Sequence, residues 1–147
     1  MKDSLRLTAL LLGVALLGAC ATNAGLRESN NLALYQAHAG EPVDSFSYYG
    51  SISGWTLLGD TTLAVWPRPS RAYLLELHGP CSDLAFAHAI ALSSRMGQVH
   101  ARFDDVTPLS RGSTPFPCRI REIRPLDVKA LKRAGKLAQD QSAPSGT

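Results

Sequence analysis

A chain of 147 residues with 45% hydrophobic and 18% charged residues has the length and apolar content of one globular domain with its own core. Fifteen Lys and Arg against twelve Asp and Glu leave a formal charge of +3, a mildly basic balance that excludes a nucleic-acid-binding protein on overall charge. Disorder-prone composition is confined to the two ends.

Met1 to Arg6 carries two positive charges and one negative, followed by an uncharged run from Leu7 to Leu17. A spanning helix needs roughly 20 apolar residues, so this shorter run, flanked by positive charge and closed by small residues, reads as a secretory leader. It ends in Leu17-Gly18-Ala19-Cys20. Apolar, small, small, Cys is similar to the lipobox of bacterial lipoproteins, in which the thiol forms the thioether to diacylglycerol. Residues 1–19 are therefore expected to be a lipoprotein signal peptide and Cys20 the lipidation site. A diacylglyceryl and an amide-linked chain on Cys20, each buried methylene worth about 0.8 kcal/mol, attach firmly without any spanning helix. Ala21 stands where enterobacterial sorting reads Asp as inner-membrane retention, which points to the outer membrane.

Residues 20–44 read as anchor and tether, with two helical turns over Leu32–Ala39 ended by Gly40. The domain is expected over 45–138. Phe46–Tyr49, Trp55–Leu58 and Thr61–Trp66 are strand candidates rich in β-formers. Pro67-Arg68-Pro69-Ser70 interrupts, since proline donates no ladder hydrogen bond, and Arg71–Leu77 resumes, giving an antiparallel hairpin. Asp83–Leu92 divides between a short helix capped by Ser82 or Asp83 and a strand from Ile90. Gln98–Phe103 alternates, placing Val99, Ala101 and Phe103 on one face. Thr107–Pro117 is a proline-rich loop. Cys118–Ile123 is a strand whose alternation slips at Ile123, predicting a bulge or strand end nearby. Pro125 is placed in the first turn of a helix, whose stripe of Leu126, Ala130, Leu131, Ala134, Leu137 and Ala138 is apolar. Residues 139–147 read as a disordered tail. The expectation is α+β: a small antiparallel sheet or partial barrel closed by a C-terminal amphipathic helix.

With Cys20 assigned to lipid, Cys81 and Cys118 remain. An even remainder in an exported chain favours a disulfide over free thiols or metal ligands, closing a loop of about 38 residues.

Gly59–Trp66, Arg71–Cys81 and Cys118–Leu131 carry a Gly-Pro-Cys after the hairpin and a Cys-Arg-Ile followed by Ile-Arg-Pro. These stretches resemble a proteobacterial lipoprotein family classed as a domain of unknown function, over roughly Phe46 to Lys136. The resemblance implies domain extent and envelope location and carries no chemistry.

Candidate chemistry is sparse. A thiol nucleophile at Cys81 would need a base from His78, His88 or His100, and His78, Cys81, His88 and Asp83 match no closed zinc spacing. Gly50-Ser51-Ile52-Ser53-Gly54 lacks nucleophile-elbow spacing, and Asp104-Asp105 suits a strand end or turn. No catalytic residue, metal or cofactor is expected. The one charged concentration is Arg119, Arg121, Arg124, Lys129, Lys132, Arg133 and Lys136, seven basic residues in eighteen positions offset by Glu122 and Asp127. It is either a solvated face with a charge-protected edge strand or a patch for anionic envelope material. The expected function is a membrane-anchored, periplasm-facing envelope lipoprotein acting as a non-enzymatic structural or binding module. Its partners would be the membrane, through Cys20, and an anionic envelope component or another envelope protein, with no nucleic acid. The alternative is an enzyme, or an accessory or inhibitor subunit.

Overall fold

The computed structural model describes residues 19–112 and 114–142, with side chains between positions 25 and 138. The expected leader before Ala19, the Cys20 side chain and the end of the expected tail lie outside the described residues.

Ala19–Ala37 is a single helix, α1, longer than the two turns predicted. Alanine, leucine, arginine and glutamate carry the helix past Gly25 and the Asn30-Asn31 pair. Residues 25–31 are all exposed, and packing starts only at Leu32 and Tyr35, which lie against the sheet with Ala39 and Trp66. Tyr35 meets the Trp66 ring edge-on, with centroids 6.1 Å apart.

The strands are β1 (Ser45–Ser47), β2 (Gly54–Gly59), β3 (Thr62–Arg68), β4 (Arg71–Leu77), β5 (Ala89–Leu92), β6 (Gln98–His100), β7 (Asp105–Leu109) and β8 (Cys118–Leu126). A 3-10 turn spans Ser82–Phe86, and the C-terminal helix α2 spans Val128–Ser142. Six strands form a curled antiparallel sheet in the order β2-β3-β4-β8-β7-β5, while β1 and β6 pair with each other. This is the expected α+β partial barrel. The concave face is filled by Phe46, Leu63, Val65, Leu75, Val99, Val106, Ile120 and Ile123 among others; α1 and α2 cover Leu58, Ala64, Leu74 and Leu126 on the opposite face. Each fully buried Leu, Ile or Val contributes roughly 1.5–3 kcal/mol, so these two layers are the main favourable contribution to folding.

β8 organises the sheet. One edge pairs with β4 from Ile120 to Leu126; the other meets β7 at Cys118 and Arg119, then Val43 at Ile123 and Ala39 at Leu126. The slipped alternation has its cause here: the register against β4 shifts between Glu76 and Leu77, opposite Glu122 and Ile120. Arg121 is the extra residue, so Ile120 and Ile123 are both wholly buried. The bulge thus lies two residues before Ile123.

Three expectations about prolines and one about Phe103 are corrected. Pro67 stays inside β3, within the register shift between Val65 and Arg68 where the ladder is already interrupted. Pro108 belongs to β7 rather than to a loop. Leu109 and Asp105 accept from His88 and Ser93 on the β5 side, so the nitrogen of Pro108 faces away from β5, past the point where β8 begins. Pro125 lies within β8, paired with Tyr73 and followed by the last strand residue Leu126, and α2 starts after Asp127, whose Oδ1 accepts from Ala130 N–H at 2.9 Å. That bond, above all, holds the Asp127 carboxyl below its usual range. Phe103 leaves the Val99/Ala101 face and is exposed, because Arg102 adopts φ +69° and turns the chain. In α2, Val128 and Leu131 are buried but Leu137 is exposed; the helix leaves the sheet after its second turn and continues through Ser142, into the stretch read as tail.

Candidate functional site

The β3–β4 hairpin turns on Pro69 and Ser70, so Arg68 and Arg71 stand directly opposite each other. Like charges in that relation repel. Arg71 shares a strand face with Tyr73, two residues on, and Tyr73 stacks on Phe46 of the concave core with centroids 4.4 Å apart. The arginines therefore sit at the rim of the half-barrel, over its filled interior. The loop after β1 supplies the facing wall, with Arg68 Cζ 5.6 Å from the centroid of the Tyr49 ring. A cavity of about 430 Å³ lies between them, lined by Ser47, Tyr49, Ser51, Pro67, Arg68, Arg71 and Tyr73. Its lining has two cations, four hydroxyl groups and no carboxylate. Among the described residues, neither Arg68 nor Arg71 has a carboxylate within ion-pair distance, whereas Arg102, Arg119, Arg121 and Arg124 each do. Sequence reading missed this site. The available signal was two arginines bracketing a two-residue turn, which a hairpin must bring face to face.

The predicted basic stretch divides in two. Arg119 Nε donates to Asp105 Oδ1 at 2.6 Å, Arg121 donates to Glu76, and Arg124 to Glu122. The hydrogen bond that Arg119 donates to Asp105 also holds the guanidinium charged more firmly than usual. Lys129, Lys132, Arg133 and Lys136 are exposed on α2, and among the described residues no carboxylate pairs with them.

A second polar cluster superficially has the parts of a hydrolase. Asp104, 2% exposed, accepts from Ser93 Oγ at 2.7 Å and from the backbone N–H of His100 at 2.7 Å. His100 Nδ1 stands 3.4 Å from Asp104 Oδ2, near enough for electrostatic attraction but outside hydrogen-bond geometry. Burial alone would raise the Asp104 pKa; the hydrogen bonds from Ser93 and His100 outweigh it and hold the carboxyl below its usual range. The connectivity is wrong for nucleophile activation, which needs the imidazole between hydroxyl and carboxylate. Here the carboxylate is in the middle, and Ser93 Oγ also accepts from Asp105 N–H at 2.8 Å. The cluster clamps the turn from β6 into β7.

Cys81 and Cys118 are joined by a disulfide, with Cα atoms 6.1 Å apart. It ties the start of the 3-10 turn to the start of β8, beside a cavity of about 340 Å³ that Phe116 also lines. His78 and His88 are exposed. Among the described residues no three His, Cys, Asp or Glu side chains are grouped to hold a metal, and no helix is long and apolar enough to cross a membrane.

The profile of a family of unknown function, DUF6491, matches residues 2–142. The chain belongs to this family. No curated protein and no solved structure matches it. The matched unit is longer at both ends than Phe46–Lys136: it takes in all of α1 and α2, the two helices that cover one face of the sheet, as well as the rim arginines.

Proposed function

We propose that the chain is a lipid-anchored lipoprotein of the bacterial envelope, facing the periplasm from the outer membrane, and that its half-barrel domain is a non-enzymatic binding module for an anionic envelope component. The rim cavity carries the binding part of this reading: Arg68 and Arg71 are held together against their own repulsion, without a counter-charge among the described residues, in a concavity that can admit a ligand. Leu17-Gly18-Ala19-Cys20 supports the anchor, and the Cys81–Cys118 bridge is in keeping with an oxidising compartment. The exposed lysines of α2 add general attraction to an anionic surface.

Two measurements test it. Cells fed an alkyne fatty acid should label the wild-type chain and leave a Cys20→Ser chain unlabelled and misprocessed; equal labelling removes the anchor. Pull-down of the lipidated protein from envelope extract should recover an anionic component in a salt-sensitive manner. A second reading, an accessory or inhibitor subunit, is supported by the exposure of Phe86, Met96 and Phe116; salt-resistant recovery of a stoichiometric protein would favour it.

A further inference from the structure

We infer that the rim cavity is a phosphate-binding site, in which the phosphate of a small molecule or of a lipid headgroup sits between Arg68 and Arg71. The inference rests on the reading of the domain as a binding module and adds the chemistry of its ligand. Two like charges fixed opposite each other across a tight turn are costly in the empty site and favourable once an anion bridges them. The Tyr49 ring meets Arg68 without neutralising it, and a cation stacked on a ring keeps the N–H donors at its edge for an acceptor. The hydroxyls of Ser47, Ser51, Tyr49 and Tyr73 line the same cavity. Two guanidinium forks with this many hydroxyls offer more donors than the two oxygens of one carboxylate use well, and suit the three terminal oxygens of a phosphate monoester. The volume, about 430 Å³, fits a headgroup-sized ligand.

The test is calorimetric titration of the full-length chain, purified in an uncharged detergent, with inorganic phosphate, glycerol 3-phosphate, short-chain phosphatidic acid and succinate. Saturable binding of the phosphate probes is expected, with succinate much weaker. Arg68→Gln and Arg71→Gln should each weaken it about tenfold or more, the loss of one charge-assisted pair. Arg111→Gln, which removes the same charge from an exposed loop position, should leave it unchanged. Arg71→Lys keeps the charge but not the fork and should fall between, which preserves the test if a glutamine variant folds poorly by circular dichroism. Equal binding of all three phosphate probes identifies the phosphate group itself as the ligand. Binding of phosphatidic acid alone identifies a headgroup with its glycerol and acyl parts. Equal affinity for succinate, or wild-type affinity in both glutamine variants, overturns the assignment. So does failure of every phosphate probe to bind; if the pull-down still recovers an anionic component, the phosphate site falls while the module reading stands.

Discussion

Ser93 Oγ lies 2.7 Å from Asp104 Oδ1 and at the same time takes the Asp105 N–H at 2.8 Å, so one hydroxyl ties the end of β5 to both residues that lead into β7. The buried carboxylate is stabilised by its donors rather than by an opposite charge held at full contact.

That arrangement sets a pH dependence. The folded pKa of Asp104 lies below its unfolded value, near 3.9 for an ordinary Asp. Its ionisation therefore stabilises the fold fully above the unfolded pKa, and this contribution fades as pH falls through the folded pKa. Asp104→Ala should cost about 2–4 kcal/mol at neutral pH, because Ser93 Oγ and His100 N–H lose their acceptor in a buried site. The gap between wild type and variant should narrow below pH 4, as read by urea midpoints at pH 7 and pH 3. A gap that widens in acid contradicts this account.

The Cys81–Cys118 bridge closes a sequence separation of 37 residues, which in the chain-entropy picture stabilises by about 4 kcal/mol. Periplasmically expressed protein should be two hydrogens lighter than its reduced form, and the Cys81→Ala/Cys118→Ala pair should melt well below wild type. Equal melting with and without reductant would count against a structural bridge.

Met96 is wholly exposed with φ +53°, followed by Gly97 at +76°, and Arg95 and Gln98 exchange backbone hydrogen bonds across them at 2.8 and 3.0 Å. Such a two-residue turn prefers Asn-Gly. Met96→Asn should stabilise by about 1 kcal/mol, since a left-handed methionine is disfavoured. Gly97→Ala should destabilise, with the same conformation now strained and Tyr48 O 3.7 Å from the added Cβ. Denaturant midpoints of the two variants should move in opposite directions.

The basic stretch should separate in vesicle binding. Arg119, Arg121 and Arg124 already face carboxylates, so their replacement by glutamine should barely change salt-sensitive retention on anionic vesicles. Replacing Lys129, Lys132 and Lys136 should weaken it by on the order of a hundredfold, at roughly 1 kcal/mol per basic residue near an anionic surface. The reverse ranking would return the anion-binding role to β8.

Strand identity was legible where side chains alternate on one buried face, as in Arg71–Leu77 and around Val99. It failed where the backbone rather than the pattern decides. Nothing in the letters announces that Arg102 turns left-handed and throws Phe103 outward, or that Pro108 can pair because β8 has not yet begun beside it. The slip at Ile123 was visible as a broken alternation; its location at Arg121 needed the register against β4. Counting charges found the densest basic stretch but not the neutralisation of its β8 part, because Asp105 and Glu76 reach Arg119 and Arg121 from other strands. The rim pair was hidden for the opposite reason: two arginines carry little weight in a count, and only the hairpin makes them neighbours.

β8 lies between β4 and a row of partners drawn from before β1, from the turn after β6 and from β7. The centre of the sheet is thus synthesised after the seven other strands, and most of its contacts join residues far apart in the chain. Such topologies fold slowly, since loop closure precedes the contacts that reward it. Until Cys118–Leu126 emerges, the β2–β4 meander holds an open edge at β4 that is ready to pair with any available strand. A chain truncated before β8 should aggregate rather than persist as a smaller folded unit.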